Sequence, residues 1–211
     1  MPIQNFNGET FVAFLDISGF KELMKNDQKA LEALRHLYQS GYESLRAADG
    51  VEGFFVSDSG ILFVRTGTIH ERLIKILSVI RQINREMLDK DYMLTTSIAY
   101  GRFDYLDKLE FNGIEKNPIY GYAYVQAFLD NETGSPKIQP GQCRLVVRNL
   151  PNVLDLHHQD LALLKKKGND NKHHYYYWNL NSHDEIEEFE GNYNDSYKLK
   201  YTGILKALQR K

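Results

Sequence analysis

The run VEGFFVSDSGILFVRT, residues 51–66, sets two short apolar segments on either side of a polar turn. Residues 51–57 and 61–66 have the aromatic and β-branched content of strands, and Asp58-Ser59-Gly60 between them is turn chemistry. So short a connection between two apolar runs reads as a β-hairpin. The pattern on either side of that hairpin sets the fold.

On the N-terminal side, residues 19–47 predict a helix. Leu31, Leu34, Tyr38, Tyr42 and Leu45 recur at three- and four-residue spacing and make one apolar face, and Asp49-Gly50 is its stop signal. Before it, TFVAFLD (10–16) reads as a buried strand. On the C-terminal side, residues 68–89 predict a second helix, with Ile69, Leu73, Ile76, Leu77, Ile80 and Ile83 on its buried face. MLTTSIAYG (93–101) is a further strand. The order is β-α-β-β-α-β, which predicts an α+β, ferredoxin-like antiparallel sheet with helices on one face. Beyond it come a polar stretch (104–118), a short helix (119–131) opened by small residues, and a strand CRLVVR (143–148). A short apolar helix within 151–171 leads into the basic run Lys165–Lys167, followed by a strand at 173–180 and a C-terminal helix over 194–211. With no internal repeat and no long linker, the expectation is one domain over 1–211, with a core at about 10–150 and an elaboration at about 151–211.

A chain of 211 residues can bury a full core without staples. A formal net charge of −2 announces no nucleic acid and no anionic membrane. The single Cys143 excludes an intrachain disulfide and a multi-cysteine zinc site, and fits a reducing compartment. The start MPIQNFNGET has no signal-peptide pattern, and no apolar run approaches the ~20 residues of a spanning helix. The expectation is a cytosolic protein of bacterial type.

The polar residues that interrupt apolar segments carry the chemistry. Asp16 ends the first strand and Asp58 sits at the hairpin tip. Taken singly, Asp16 reads equally as an N-cap or turn residue, and Asp58 as a turn residue. In a βαββαβ sheet, however, strand 1 lies beside the hairpin, so the two carboxylates converge. Two unit charges ~4 Å apart repel by about 4 kcal/mol at an effective dielectric near 20. A hard divalent cation offsets that, and Mg²⁺ favours one or two carboxylates plus substrate phosphates. Two such ions suit displacement at phosphorus, one activating the attacking oxygen and the other holding the leaving phosphates. Gly19 and Phe20 fit the same picture, because a strand turning into a helix presents backbone N–H groups to a triphosphate.

Four segments in order resemble the class III nucleotide cyclases. FVAFLDISGF (11–20) is similar to their first metal motif, and FFVSDSGILFV (54–64) to their second. TTSIAYGRF (95–103) and IYGYAYVQAFL (119–129) are similar to the strand and the glycine-containing helix that follow. The resemblance implies metal ligands at Asp16 and Asp58 with help from the Ile17 carbonyl, two Mg²⁺ or Mn²⁺ ions, and a homodimer with active sites at the interface. The chain departs from that pattern where the family reads purines. Phe54 stands where a purine-contacting Lys is found, and Pro118 stands on or near the position of a second base-reading acid. Val125 and Leu129 stand where an Asn and an Arg steady the ribose and the transition state.

The short chain, with FLDISGF and a GxAxxxA helix, is similar to the pyrimidine cyclases of bacterial Pycsar anti-phage systems. Those make cyclic UMP or cyclic CMP for a separate effector. This implies a UTP cyclase ahead of a CTP cyclase, with Phe54 stacking on or walling off the smaller base. Gln126, Arg102 and Lys137 are candidates for the replaced polar and cationic roles, Arg102 or Lys137 coming from the partner subunit. The competing readings are a purine (ATP or GTP) cyclase and a cyclase-like domain that has lost catalysis and binds a nucleotide or partner. A nuclease or polymerase-like palm shares paired carboxylates but needs a basic track that the charge balance does not offer.

Other runs have plainer readings. His157-His158 and His173-His174 are adjacent pairs whose rings point different ways, so neither is a chelating face by itself. TyrTyrTyrTrp at 175–178 reads as a strand packing aromatics on both faces. Lys165–Lys167 with Lys172 is a solvated loop, and HDEIEEFEG (183–191) an acidic exposed helix.

Overall fold

The computed structural model describes residues 3–107, 109–111, 114–197 and 200–209. Parts of the predicted segments 104–118 and 194–211 lie outside the described residues. The chain opens with β1 (Phe6–Ile17), a single turn α1 (Phe20–Leu23) and α2 (Asp27–Ala47). The hairpin β2 (Val51–Val56) and β3 (Ser59–Val64) follows, then α3 (Ile69–Leu88) and β4 (Leu94–Tyr105). A small ribbon, β5 (Leu109–Phe111) with β6 (Ile114–Lys116), leads to β7 (Ile119–Tyr120) and α4 (Tyr122–Thr133). The last elements are β8 (Cys143–Val146), β9 (Leu164–Lys165), β10 (His173–Tyr176), α5 (Ile186–Tyr197) and α6 (Lys200–Gln209). One sheet in the order β2-β3-β1-β4-β8-β10-β9 carries the fold, with β7 on the end of β4. Its pairs are antiparallel except β4–β8.

β1 is central and buried on both faces. Phe11, Ala13, Leu15 and Ile17 enter the larger core with Leu73, Ile76, Leu77 and Ile80 of α3 and Ala33 and Leu37 of α2. Val12 and Phe14 point the other way, into a second cluster with Phe63, Phe103, Ala123 and Ala127. The two helices of the βαββαβ unit thus share one face, and α4 covers the other through alanines that let it approach closely. The predicted face of α3 is the buried one, and its start is a capping box: Thr68 Oγ1 accepts from the Glu71 N–H (3.3 Å), and Glu71 Oε2 accepts from the Thr68 N–H (2.7 Å).

Three expectations are corrected, the first being the short helix expected within 151–171, where the chain forms only the 3₁₀ turn Gln159–Leu161 before β9. The helix predicted over 19–47 is broken at Asn26, whose side chain accepts from the Lys29 N–H (3.1 Å) and caps α2. The buried face of α2 is also different. Leu31 and Tyr42 are 50% and 64% exposed and Tyr38 is exposed, whereas Ala30, Ala33, Leu37 and Gly41 are buried. The cause is Phe55 of β2: a Cβ on Gly41 would lie 2.1 Å from its ring, so α2 seats on the sheet through its small residues. The C-terminal elements join the same core, with Trp178, Ile204 and Leu208 packed into it and Trp178 Nε1 donating to the Gly141 carbonyl (2.8 Å). Among the described residues no helix is long and apolar enough to cross a membrane.

Candidate active site

β1 delivers Asp16 to the rim of the sheet, on the face that α4 covers, as the next residue in the Val12–Phe14 alternation. The β2–β3 connection is the two residues Ser57 and Asp58, with Ser57 at φ +55°. The Ile17 N–H donates to the Asp58 carbonyl (3.1 Å), which clamps the hairpin tip onto the end of β1. Gly60 makes that approach possible, since a Cβ there would meet Leu15 and Phe55 at 2.6 Å. Asp16 lies directly across from Ser59 on one side and Thr95 on the other, and Ser59 Oγ donates to its Oδ1 (3.0 Å).

Burial pushes the Asp16 carboxyl up to about 7; the neighbouring Asp58 charge adds to this, the Ser59 hydrogen bond opposes it, and Glu132 contributes from the end of α4. The charges of Asp58 and Glu132 therefore both bear on Asp16 at this rim. The donor set is all oxygen and the unfavourable term is negative charge, which is the environment a hard divalent ion relieves. Mg²⁺ or Mn²⁺ fits these residues. The Ile17 side chain is buried in the core, so its backbone carbonyl is the group it has to offer.

Gly19 adopts a left-handed conformation (φ +78°) and leads into α1. Nothing lies within 4 Å of where its Cβ would be, so the requirement is conformational and the space above the turn is open. Phe20 is 6% exposed and sits in the core, which leaves only its backbone N–H for a ligand.

The remaining candidates are not gathered at the carboxylates. Phe54 shares the Asp16 face, but its ring packs on Tyr105 (5.7 Å) beside the Phe63 cluster. Gln126 accepts from the Tyr122 hydroxyl (2.9 Å) and lines a groove between α4 and β8. Arg102 lies across from Glu9, seven residues along β1 from Asp16 and so roughly 23 Å away at ~3.3 Å per residue. Its guanidinium is held by the buried Asp104 (Nε–Oδ2 3.0 Å). Lys137 is exposed on the loop between α4 and β8 and lines a groove with Asp170, Tyr175 and Tyr193, beside β10 and not beside β1. Val125 and Leu129 are exposed on the outer surface of α4.

Some participants escaped sequence reading. Ser59 reads from sequence as a turn residue, and Glu132 falls one position beyond the helix expected over 119–131. A buried ionic network holds the C-terminal end of α4. Arg144, fully buried, donates to Asp130 from Nε (2.8 Å) and Nη2 (3.0 Å) and to the Pro136 carbonyl from Nη1 (2.7 Å). Ser97 Oγ donates to Asp130 (2.7 Å), and His173 lies 2.8 Å from both Asp130 and Asp170. Burial pushes the Asp130 carboxyl up, but bonds from His173 and Arg144 and the Arg144 charge outweigh it and hold it below its usual range. The available signal was an Asp directly after the apolar run Ala127–Leu129 of that helix.

No protein-family model and no curated protein matches the chain. Solved structures do. The guanylyl cyclase Cya2 superposes with a TM-score of 0.55 at 12% identity, covering 82% of this chain and 93% of that one. A dimeric guanylyl cyclase domain from the aquatic fungus Blastocladiella emersonii gives 0.57 at 10% identity over 82% and 95%. The adenylyl cyclase CyaB from P. aeruginosa gives 0.52 at 13% identity over 69% and 80%. The chain has the fold of the adenylyl and guanylyl cyclase domains, with a carboxylate pair at the rim of its sheet.

Proposed function

We propose that this protein is a metal-dependent nucleotide cyclase, converting a nucleoside triphosphate to its 3′,5′-cyclic monophosphate and pyrophosphate. The observation that carries this is the Asp16–Asp58 pair, clamped by the Ile17–Asp58 backbone bond on a cyclase fold, with the Asp16 carboxyl raised by burial and by its neighbour. Asp16, Asp58 and the Ile17 carbonyl would hold two Mg²⁺ or Mn²⁺ ions. When bound, such ions activate the 3′-hydroxyl and neutralise the leaving pyrophosphate. The Gly19–Phe20 turn supplies N–H groups to phosphate oxygens. Lys137 or Arg102, from a partner subunit, offsets charge on the α-phosphoryl group. Arg102 acts only in trans in this scheme, because its own chain holds it far from Asp16.

For the substrate we favour a pyrimidine triphosphate, UTP before CTP. The support is Phe54, an aromatic side chain on the Asp16 face where the cyclase pattern reads a purine with a Lys. In this reading the product is a second messenger of anti-phage defence, sensed by a separate effector. The chain works as a homodimer, and exposed Val125, Phe128 and Leu129 on α4 supply apolar surface for it. A second reading, nucleotide binding without turnover, is favoured by one fact: Val125 and Leu129 have no polar group for the transition state.

Incubation with each of the four NTPs and Mn²⁺ decides between the two. The expected products are a cyclic pyrimidine monophosphate and pyrophosphate, with turnover lost in Asp16→Ala and Asp58→Ala. Consumption of no NTP leaves the binding reading, turnover of ATP or GTP alone removes the pyrimidine assignment, and unchanged turnover in Asp58→Ala overturns the metal assignment.

A further inference from the structure

We infer that His70, His158 and Asp160 form a second metal site, separate from the carboxylate pair, that takes a borderline divalent ion, zinc foremost. His70 lies in the first turn of α3. His158 caps the 3₁₀ turn Gln159–Leu161, which contains Asp160. The pairing joins residues 88 positions apart (158 − 70) and could not be read from the adjacent histidines. His158 Nδ1 is 3.3 Å and His70 Nε2 3.9 Å from the same oxygen, Asp160 Oδ2. The three ligand atoms all lie within 4.8 Å of one another, and the two rings meet edge-on at 4.3 Å. Ligand atoms of a tetrahedral zinc site, with bonds of about 2.0–2.1 Å, stand about 3.4 Å apart. Side-chain shifts on the order of 1 Å bring this set to that geometry.

One detail favours an ion over a plain ion pair. His70 Nε2 is buried yet makes no hydrogen bond, since 3.9 Å is beyond reach of one. An ion among the three residues gives that nitrogen a partner. His158 Nδ1 accepts from the Asp160 N–H (3.3 Å), and an ion bound at that nitrogen has to displace this bond, because the nitrogen has one lone pair. The N-terminus of α3 carries a partial positive charge that opposes a cation, but the full charge of Asp160 at ligand distance outweighs it.

The donor set decides the metal. Two imidazoles and one carboxylate suit zinc and its neighbours, whereas the all-oxygen set at Asp16 suits Mg²⁺ or Mn²⁺. The two sites are also far apart. Arg72, two residues beyond His70, donates from Nη1 to the Glu9 carbonyl (2.7 Å), so the start of α3 lies at the opposite end of β1 from Asp16. An ion here pins the 157–161 segment, whose Leu161 is buried in the main core, to the first turn of α3. Three protein ligands leave a fourth position for solvent.

The test is titration of the full chain, stripped with a chelator, with Zn²⁺ and with Co²⁺ as a spectroscopic reporter. The expected result is one equivalent per chain, with visible Co²⁺ bands of a four- or five-coordinate site, retained in the Asp16→Asn/Asp58→Asn double variant. His158→Ala and Asp160→Asn, both at exposed positions, should weaken binding by about tenfold or more. They should also abolish the zinc-induced rise in melting temperature, and they carry the test if His70→Ala fails to fold. Loss of the equivalent in the Asp16/Asp58 variant, or unchanged binding in both His158→Ala and Asp160→Asn, overturns the proposal.

Discussion

Asp16 holds its proton near neutrality because burial and Asp58 both disfavour its charge. That makes the metal-free protein sensitive to pH in a definite direction. The folded-state value of about 7 lies above the ordinary 3.8, so between those limits the native state binds more protons than the unfolded chain. Stability contributed by the neutral carboxyl is fully present below about pH 4 and is lost as pH rises toward 7. In thermal melts with chelator, the wild type should lose more melting temperature between pH 5 and pH 8 than Asp16→Asn. Mg²⁺ or Mn²⁺ should raise the wild-type melting temperature more at pH 8 than at pH 6, because the ion binds the carboxylate. Identical pH slopes for the two proteins would contradict the assignment. Asp16 was legible in the sequence because a charge ending an apolar strand is conspicuous. Glu132 was not, since an acid at a helix end is ordinarily solvated and only the docking of α4 brings it near.

At the scale of elements, α2 and α3 show when a periodic pattern suffices. In α3 the large apolar residues form a single stripe, and a Thr68–Glu71 capping box marks its start, so the predicted face is the buried one. In α2 a stripe of large residues competes with a stripe of small ones, and spacing alone favours the large. The ring of Phe55 reverses that choice by occupying the space above Gly41. A Gly→Ala change within a helix ordinarily gains about 0.5–1 kcal/mol, whereas overpacking a core costs about 1–3 kcal/mol. Gly41→Ala should therefore destabilise the protein by about 1–2 kcal/mol in chemical denaturation, with most of the loss recovered in Gly41→Ala/Phe55→Leu. A stabilised Gly41→Ala would show that α2 does not seat on Phe55.

On the whole-molecule scale, the C-terminal segment extends the sheet and also locks α4. Asp130 of α4, Arg144 of β8 and His173 of β10 meet in one buried network, so elements distant in sequence share the same charges. Breaking one partner of such a pair costs about 3–5 kcal/mol, which binds the elaboration to the βαββαβ unit. The outer surface of α4 carries exposed Val125, Phe128 and Leu129 next to this fixed end. In the homodimer reading this apolar surface is covered by a second copy. Sedimentation velocity at micromolar concentration should show a wild-type dimer and a monomeric Leu129→Asp, which keeps its fold by circular dichroism. A monomeric wild type would remove the dimer from the proposed mechanism.

The sequence by itself determined the βαββαβ order, the strand that carries Asp16 and the hairpin that carries Asp58. Those features are local: apolar runs, turn residues and helix caps act over a few neighbours, and a carboxylate within them stands out. Tertiary structure alone decided which face of α2 is buried, that Arg102 is tied to Asp104 at the far end of β1, and that Asp130, Arg144 and His173 form one network. It alone brought His70 to His158 and Asp160. These depend on contacts between residues far apart in the chain, where close packing and the pairing of buried charge select one arrangement, and no short-range pattern reports the outcome.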